Sequence, residues 1–243
     1  MSDFRYVRPD NFPPIVKNLL IINVLVYIAQ LTLNNQLQIT EKLMLYPLIP
    51  ERLYDLLLQE GVLGQGQKFQ PYQVITHMFA HGPIYHILFN MFSLWMFGRI
   101  LENVWGPKKF LIFYLVCGVG AAACHLGMQY YRSTQLLEAL ITGNGNELKY
   151  IGALAPALGA SGAIMGLFAA FGYLFPNSEL YIMFFPIPIK AKWAVLGLAA
   201  IDLFGGIANT RGDNVAHFAH LGGALTGFII VFIWNKTNRK TFY

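Results

Sequence analysis

The sequence predicts an all-α membrane protein that crosses the bilayer six times, and three observations support this class. Hydrophobic residues make up 56% of the 243 residues and charged residues only 12%, about half the charged fraction of a soluble globular domain. Six apolar runs approach the ~20 residues that a helix needs to span ~30 Å of hydrocarbon. Lysine and arginine concentrate on one side of these runs. Because an open-ended segment in lipid satisfies its backbone polar groups only as a helix, we expect a helical bundle.

The six predicted spans can be placed from their flanking residues. Before the first span stand Arg5, Arg8 and Lys17, and no small-residue cleavage site follows it, so we interpret it as a retained span rather than a signal peptide. The second begins at Pro83, a favourable first helical residue, and Asn214 is a suitable N-cap for the sixth. In chain order the spans are 15–33, 83–101, 110–131, 155–175, 191–208 and 214–234.

The third span contains both cysteines of the chain. Cys117 and Cys124 are seven residues apart, which corresponds to roughly 10 Å along a helix. That separation is too long for a disulfide, so we interpret both as core residues.

Six spans place both termini on the same side of the membrane. If that side is the cytoplasm, eleven of the 17 lysine and arginine residues lie in cytoplasmic segments, which favours this orientation. The sequence therefore predicts a membrane domain over 15–235 with short cytoplasmic tails at 1–14 and 236–243. This asymmetry also explains the positive net charge without a nucleic-acid partner.

Two predicted outer loops are long. The loop 34–82 contains "EKLMLYPLIPERLYDLLLQEG", whose mixed helical spacing of apolar residues favours a segment lying in the membrane interface. The loop 132–154 contains the turn-rich "TGNGNE". Neither loop is predicted to form a domain, and the chain has no internal repeat.

Four polar residues inside the spans are the strongest functional signal. His86 and Asn90 lie in the second span, Ser161 in the fourth and His220 in the sixth, and polar groups in lipid are costly unless they serve function or packing. Counted from the predicted helix starts, all four lie within roughly 5–11 Å of the outer ends of their helices. They therefore share one depth.

Each of these residues also has a purely structural interpretation. Ser161 precedes Gly162-x-x-x-Gly166, and His220 precedes Gly223-x-x-x-Gly227, patterns typical of close helix packing. Asn90 is suited to an interhelical hydrogen bond. Together, however, the four residues favour acyl transfer, with a serine activated by histidine and polar donors for the oxyanion.

The spacing further predicts a Ser161–His220 pair without an acidic partner. No carboxylate lies beside His220, and Asp213 is almost two turns away. Gly159 has no Cβ and would let the chain approach a substrate closely.

These residues resemble the signature of the rhomboid family of intramembrane serine proteases. The matching segments are "HMFAHGPIYHILFNMFSLWMFGRILE", "GASG" and "AHLGGALTG", in the order and spans that the family requires. The resemblance implies Ser161 as nucleophile and His220 as general base. It implies His86, Asn90 and the Ser161 N–H as oxyanion donors, with Gly159 and Gly162 in support and no cofactor or metal. The family's G-x-x-x-E falls on Gly98 and Glu102.

The resemblance also implies a substrate class and a location. Rhomboid-like proteases cut single-pass membrane proteins near the outer end of the transmembrane helix, so lipid and such substrates are the expected partners. The short first tail favours a bacterial inner membrane. The alternatives are a rhomboid-like pseudoprotease that binds clients without cutting them and a small transporter, which would show inverted repeats.

Several positions depart from the family pattern or are not explained by it. In place of a Trp-Arg pair before the second span the chain has "PYQVITH", where Tyr72 and Gln73 are the expected substitutes. Met165 replaces an aromatic residue expected to pack on the histidine. His217, three residues before His220, is suited to a supporting role, whereas His77 and His81 are interpreted as structural residues.

Overall fold

The computed structural model describes residues 9–144, 150–181, 187–208 and 216–237, and over these ranges the chain is a helical bundle. The helices are α1 Pro14–Leu37, α2 Ile39–Leu43, α3 Glu51–Gln59, α4 Gln73–Thr76, α5 Ile84–Trp105, α6 Pro107–Thr142, α7 Ser161–Leu174, α8 Ala191–Ala208 and α9 His217–Thr237. Two 3-10 helices, His77–Phe79 and Ile151–Leu154, and an antiparallel pair of two-residue strands, β1 Glu179–Leu180 and β2 Ile189–Lys190, connect them.

The six-span class is confirmed. Within the described residues, α1, α5, α6, α8 and α9 are each long and apolar enough to cross a membrane, and α7, at the place of the predicted fourth span, is a shorter apolar helix. α8 has the predicted bounds, whereas α1 and α5 run four residues beyond their predicted ends at 33 and 101. The predicted N-cap of the sixth span, Asn214, lies outside the described residues.

α7 is the central helix of the bundle. Ten of its fourteen residues are buried, and it packs chiefly against α9 and α6. The outer helices instead expose large apolar side chains, such as Leu31 on α1 and Phe204 on α8. An apolar exterior around a buried central helix is the arrangement that a lipid environment favours.

The small-residue surfaces of α7 and α9 face each other. A Cβ added to Gly223 would lie 1.8 Å from the carbonyl oxygen of Gly162, and one added to Gly227 would lie 2.6 Å from that of Gly166. Real Cβ atoms do not approach so closely. The backbones of α7 and α9 can therefore meet only because these positions are glycine.

The predicted start of the fourth span at 155 is wrong, because α7 begins at Ser161. The preceding backbone is held extended: Ala157 pairs with Leu45 in an isolated bridge, and the Gly159 N–H donates to His77 O at 2.8 Å. Gly159 has a φ of +121°, which L side chains rarely adopt. At 1.5 Å per residue the helix is roughly 21 Å long, shorter than the hydrocarbon core.

The predicted end of the third span at 131 is also wrong, because α6 continues to Thr142. Leu136, in the added part, is buried against Leu53 and Leu57 of α3. The amphipathic segment of the first loop therefore packs on α6. The helix ends before Gly143, whose left-handed φ of +61° is common at a helix terminus, and the second half of the predicted turn "TGNGNE" lies outside the described residues.

Glu102, in the family-like G-x-x-x-E pattern, fixes α1 on α5. Its Oε1 accepts from the Ile15 N–H at 2.9 Å and its Oε2 from the Val16 N–H at 2.8 Å. The carboxylate thus satisfies two of the N–H groups that the start of a helix leaves without partners. A Cβ on Gly98 would lie 2.9 Å from Val16 Cγ2, so this glycine lets α1 approach.

Glutamine side chains anchor the long loop between α1 and α5. Gln73 Oε1 accepts from the backbone N–H groups of Tyr46 at 3.3 Å and Gln70 at 3.0 Å, while Tyr72 is half exposed. Of the two expected substitutes for the Trp-Arg pair, Gln73 holds the loop. Gln30 of α1 exchanges hydrogen bonds with the backbone of His81, at 3.0 and 3.1 Å, and fixes the entry to α5.

Candidate active site

Ser161 and His220 are brought together by the close packing of α7 and α9. Ser161 is the first residue of α7 and His220 the fourth of α9. The Ser161 hydroxyl donates to His220 Nε2 with an Oγ–Nε2 distance of 2.8 Å. A Cβ on Gly162 would lie 2.5 Å from Ala121 Cβ and 3.5 Å from Ala219 O. The predicted supporting glycine is therefore a contact point of three helices next to the serine.

The structure corrects the prediction of a histidine without an acidic partner. His220 Nδ1 donates to Asp202 Oδ1 at 3.1 Å. Asp202 belongs to α8 and precedes His220 by eighteen residues, so no local spacing rule connects the two. Asp202 could have been identified from the sequence, because it is the sole acidic residue of the fifth apolar run. A carboxylate within a membrane span is by default a candidate functional residue.

His217 also contacts this carboxylate. Its Nδ1 donates to Asp202 Oδ1 at 2.8 Å. A Cβ on Gly205 would lie 2.5 Å from the His217 ring, so the glycine provides the space in which the ring lies. His217 and His220 are therefore connected through Asp202.

His86 faces the serine loop with a defined tautomer. The Gly82 N–H donates to His86 Nδ1 at 3.3 Å, so Nδ1 is unprotonated and Nε2 carries the proton in the neutral ring. The Nε2 edge lies against Gly159, where an added Cβ would be 2.8 Å from it. His86 thus presents an N–H donor to the loop that precedes Ser161.

Asn90 lies one turn deeper on α5 and is buried. Its Nδ2 donates to His86 O at 3.0 Å, which uses one of two amide hydrogens. The same nitrogen would be 3.8 Å from a Cβ on Gly159. The backbone N–H of Ser161 is at the start of α7 and has no intrahelical acceptor. With His86 and Asn90 beside Gly159, all three predicted oxyanion donors lie around Gly159 and Ser161.

A small cavity of about 20 Å³ adjoins Ser161 and Gly159. His77 and His125 are among its lining residues, and within the described residues His125 Nε2 is buried without a hydrogen-bond partner. The cavity has room for one water molecule. His125 was not predicted from the sequence, although a histidine inside the third span is by default a candidate functional residue.

Comparison with known proteins identifies the family. Residues 68–237 match the family model described as "Rhomboid domain", a range that includes Ser161, His220 and every other polar residue of the site. This chain belongs to the rhomboid family. Membership confirms the resemblance, and rhomboid proteins are intramembrane serine proteases as a family.

Several named rhomboid proteins are similar to this chain. Rhomboid protein 1, mitochondrial, of Saccharomyces cerevisiae is 28% identical over 167 residues, which are 69% of this chain and 43% of the relative. Presenilin-associated rhomboid-like protein, mitochondrial, of Homo sapiens is 32% identical over 170 residues, 68% of this chain and 37% of the relative. RHOMBOID-like protein 12, mitochondrial, of Arabidopsis thaliana is 31% identical over 170 residues, 70% of this chain and 47% of the relative.

The chain spans less than half the length of each of these rhomboid relatives. Their names place them in mitochondria, which conflicts with the expectation of a bacterial inner membrane. The rhomboid fold and the helices long enough to cross a membrane identify a multi-pass membrane protein. The expected contact of Met165 with His220 stays a prediction.

Proposed function

We propose that this rhomboid protein is an intramembrane serine endopeptidase with Ser161 as nucleophile and His220 as general base. The observation that supports it most directly is the 2.8 Å hydrogen bond from Ser161 Oγ to His220 Nε2. A serine hydroxyl is a weak nucleophile until an adjacent base accepts its proton. The unprotonated Nε2 is at the distance and on the side that this transfer needs.

The surrounding donors fit the acylation step. Ser161 Oγ attacks the scissile carbonyl while its proton passes to His220 Nε2. The developing oxyanion accepts from His86 Nε2–H, Asn90 Nδ2–H and the Ser161 N–H, all of which border Gly159. Such preorganised donors stabilise a tetrahedral intermediate. His220 then returns the proton to the leaving amine, which departs.

The deacylation step requires water beside the acyl ester on Ser161. The water-sized cavity next to this serine is lined by histidines and offers such a position. His220 Nε2 takes a proton from that water as the water attacks the ester carbonyl, and it returns this proton to Ser161 Oγ as the bond from Oγ to the acyl carbon breaks, which releases the carboxylic acid and the free serine hydroxyl. Both half-reactions therefore use the same base.

The proposed substrates are single-pass membrane proteins, cut near the outer end of their transmembrane helix. Ser161 begins a helix too short to span the hydrocarbon core, so it is suited to bonds below the membrane surface. A peptide carbonyl in an intact helix is already hydrogen-bonded. The substrate must therefore unwind locally before Ser161 can attack.

Covalent labelling tests the proposal. The full chain in liposomes is treated with a fluorophosphonate probe and assayed for cleavage of a reporter transmembrane substrate, alongside Ser161→Ala and His220→Ala. We expect an adduct on Ser161 and cleavage in the wild type, and neither in the two variants. Ser133→Ala is the matched control, because this buried serine donates only to Tyr130 O in the described structure, at 2.7 Å. Folded wild type without adduct or cleavage would instead indicate a client-binding protein.

A further inference from the structure

We propose that Asp202 is a positioning residue for the reaction: it holds His220 in the tautomer that accepts the Ser161 proton, and His217 holds Asp202 in turn. This inference rests on the proposed protease function. Asp202 is one of only three buried residues of α8. A buried carboxylate in a membrane span is costly and calls for an explanation.

The direction of the hydrogen bonds determines the tautomer. An ionised carboxylate only accepts, so His220 Nδ1, 3.1 Å from Asp202 Oδ1, must carry the proton. A neutral imidazole carries one proton, which leaves Nε2 free to accept from Ser161 Oγ. Without Asp202, a neutral His220 is free to hold its proton on Nε2, and that tautomer cannot accept the serine proton.

A second histidine fixes the carboxylate. His217 and His220 are three residues apart on α9 and therefore face the same side. Both donate through Nδ1 to the same oxygen, at 2.8 and 3.1 Å. Two donors compensate part of the desolvation of Asp202, and the shorter contact to His217 fixes the rotamer of the carboxylate.

Two glycines of α8 allow the close packing of α8 on α9 that brings Asp202 to the histidines. Gly205 lies one turn beyond Asp202, and a Cβ there would overlap the His217 ring at 2.5 Å. A Cβ on Gly206 would lie 2.9 Å from the Phe218 ring. The two glycines thus let α8 approach α9 at the level of the histidines, and this approach brings the carboxylate within reach of both rings.

During acylation Asp202 keeps its charge and gains no proton. The proton moves from Ser161 Oγ to His220 Nε2, which produces an imidazolium with both nitrogens protonated. The carboxylate stabilises this cation through the Nδ1–H bond that it already accepts. The proton later leaves from Nε2 to the amine, so Nδ1–H remains in place throughout.

The test compares Asp202→Asn with His217→Gln in the full chain in liposomes. For Asp202→Asn we expect kcat for a reporter substrate to fall by about 10²–10⁴-fold, KM to change less than about threefold, and the midpoint of thermal unfolding to stay close to the wild-type value. For His217→Gln, which retains the His220–Asp202 contact, we expect kcat to fall by about tenfold, the lower end of the effect of losing an outer hydrogen-bond partner.

Nitrogen-15 NMR of histidine-labelled wild type gives a readout that a merely structural role would not move. We expect His220, assigned through the loss of its signal in His220→Gln, to be protonated at Nδ1 and not at Nε2. This measurement does not depend on whether any Asp202 variant folds. A His220 protonated at Nε2, or a wild-type kcat in Asp202→Asn, would overturn the inference.

Two further outcomes are distinguishable. If Asp202 only ties α8 to α9, both variants lose kcat and thermal stability together and to the same extent, which also overturns the inference. If the wild type neither cleaves nor reacts at Ser161, the proposed function fails, and the NMR tautomer alone decides whether Asp202 orients His220.

Discussion

Two histidines of the site have opposite hydrogen-bond partners at Nδ1, and in the proposed mechanism they serve two purposes. His86 accepts a backbone N–H at Nδ1 and therefore presents Nε2–H as a donor. His220 donates Nδ1–H to Asp202 and therefore presents Nε2 as an acceptor. A donor facing Nδ1 of His86 and an acceptor facing Nδ1 of His220 thus give the two rings opposite roles at Nε2. His86 is suited to donate to the oxyanion, and His220 is suited to accept the serine proton.

A prediction at the residue scale concerns Asn90. Replacement by alanine removes one donor next to Gly159, and we expect kcat to fall by about 10²–10³-fold, the usual effect of losing one oxyanion donor. KM should change little, because the donor acts mainly on the charge that develops in the transition state. Steady-state kinetics with a reporter substrate in liposomes measures both parameters.

Asn23→Ala is the matched control for that variant. Asn23 is also buried, and its Nδ2 donates to the carbonyl four residues earlier, Leu19 O at 2.7 Å, just as Asn90 does to His86 O. It lies on α1, so its loss removes the same kind of bond without touching the site. Equal kinetic losses in the two variants would rule out a specific role for Asn90.

At the scale of helices, the lengths of α6 and α7 depart most from expectation. Hydropathy cannot find the start of α7, because the residues before Ser161 are themselves apolar and are kept out of the helix by pairing of Ala157 with distant Leu45. It cannot find the end of α6 either, because the added turns bury Leu136 against α3 rather than lipid. Both boundaries depend on partners far away in sequence.

A prediction at the element scale concerns the α7–α9 contact. A Cβ on Gly223 would lie 1.8 Å from Gly162 O, a backbone atom that cannot move without shifting α7. We expect Gly223→Ala to lower the free energy of unfolding by about 1–3 kcal/mol, as overpacking does. Cleavage should fall as well, because Ser161 and His220 lie on the two displaced helices. Thermal unfolding in detergent and reporter cleavage measure these effects.

Gly197→Ala on α8 provides the comparison. Nothing within 4 Å would meet its Cβ in the described structure, so alanine costs no contact there and removes the entropic penalty of a helical glycine, about 0.5–1 kcal/mol. Its unfolding midpoint should match or exceed that of the wild type. A loss as large as that of Gly223→Ala would mean that the close approach of α7 and α9 is not what the glycine provides.

At the scale of the whole molecule, buried histidines make folding sensitive to pH. Burial, with a smaller contribution from nearby His86, lowers the pKa of His81 to about 4, and burial also lowers the pKa of His77. In the unfolded chain these side chains titrate near pH 6.5. Between pH 4 and 6.5 the unfolded chain binds more protons than the folded protein does. The free energy of unfolding is therefore highest, as far as these histidines are concerned, above about pH 6.5, and it falls as the pH drops toward 4.

We expect the His81 contribution to this loss to reach about 3 kcal/mol at pH 4. His81→Leu is suited to the test, because both ring nitrogens lack hydrogen-bond partners within the described residues. Thermal unfolding in detergent between pH 7.5 and 4.5 should show a steeper loss in the wild type than in His81→Leu. The carboxylates are the same in both proteins, so their titration contributes equally to both unfolding curves. An equal loss of stability with falling pH in the two proteins would contradict the prediction.

The amino-acid sequence alone determined that the chain is a six-span helical membrane protein, because hydropathy and charge asymmetry are local properties of consecutive residues. It also identified Ser161, His220, His86 and Asn90 as candidate site residues, since an intramembrane polar group is conspicuous wherever it stands. Their common depth stays a prediction, because the helix start from which the depth of Ser161 was counted is wrong.

The tertiary structure alone revealed the partner of His220 and the position of Ser161 at the very start of a short helix. Asp202, His217 and Gly205 meet because α8 and α9 pack closely, and no spacing in the sequence states which faces of two helices will touch. The tautomer of each histidine depends in turn on such contacts. The chemistry of the site is therefore encoded in residues that only packing brings together.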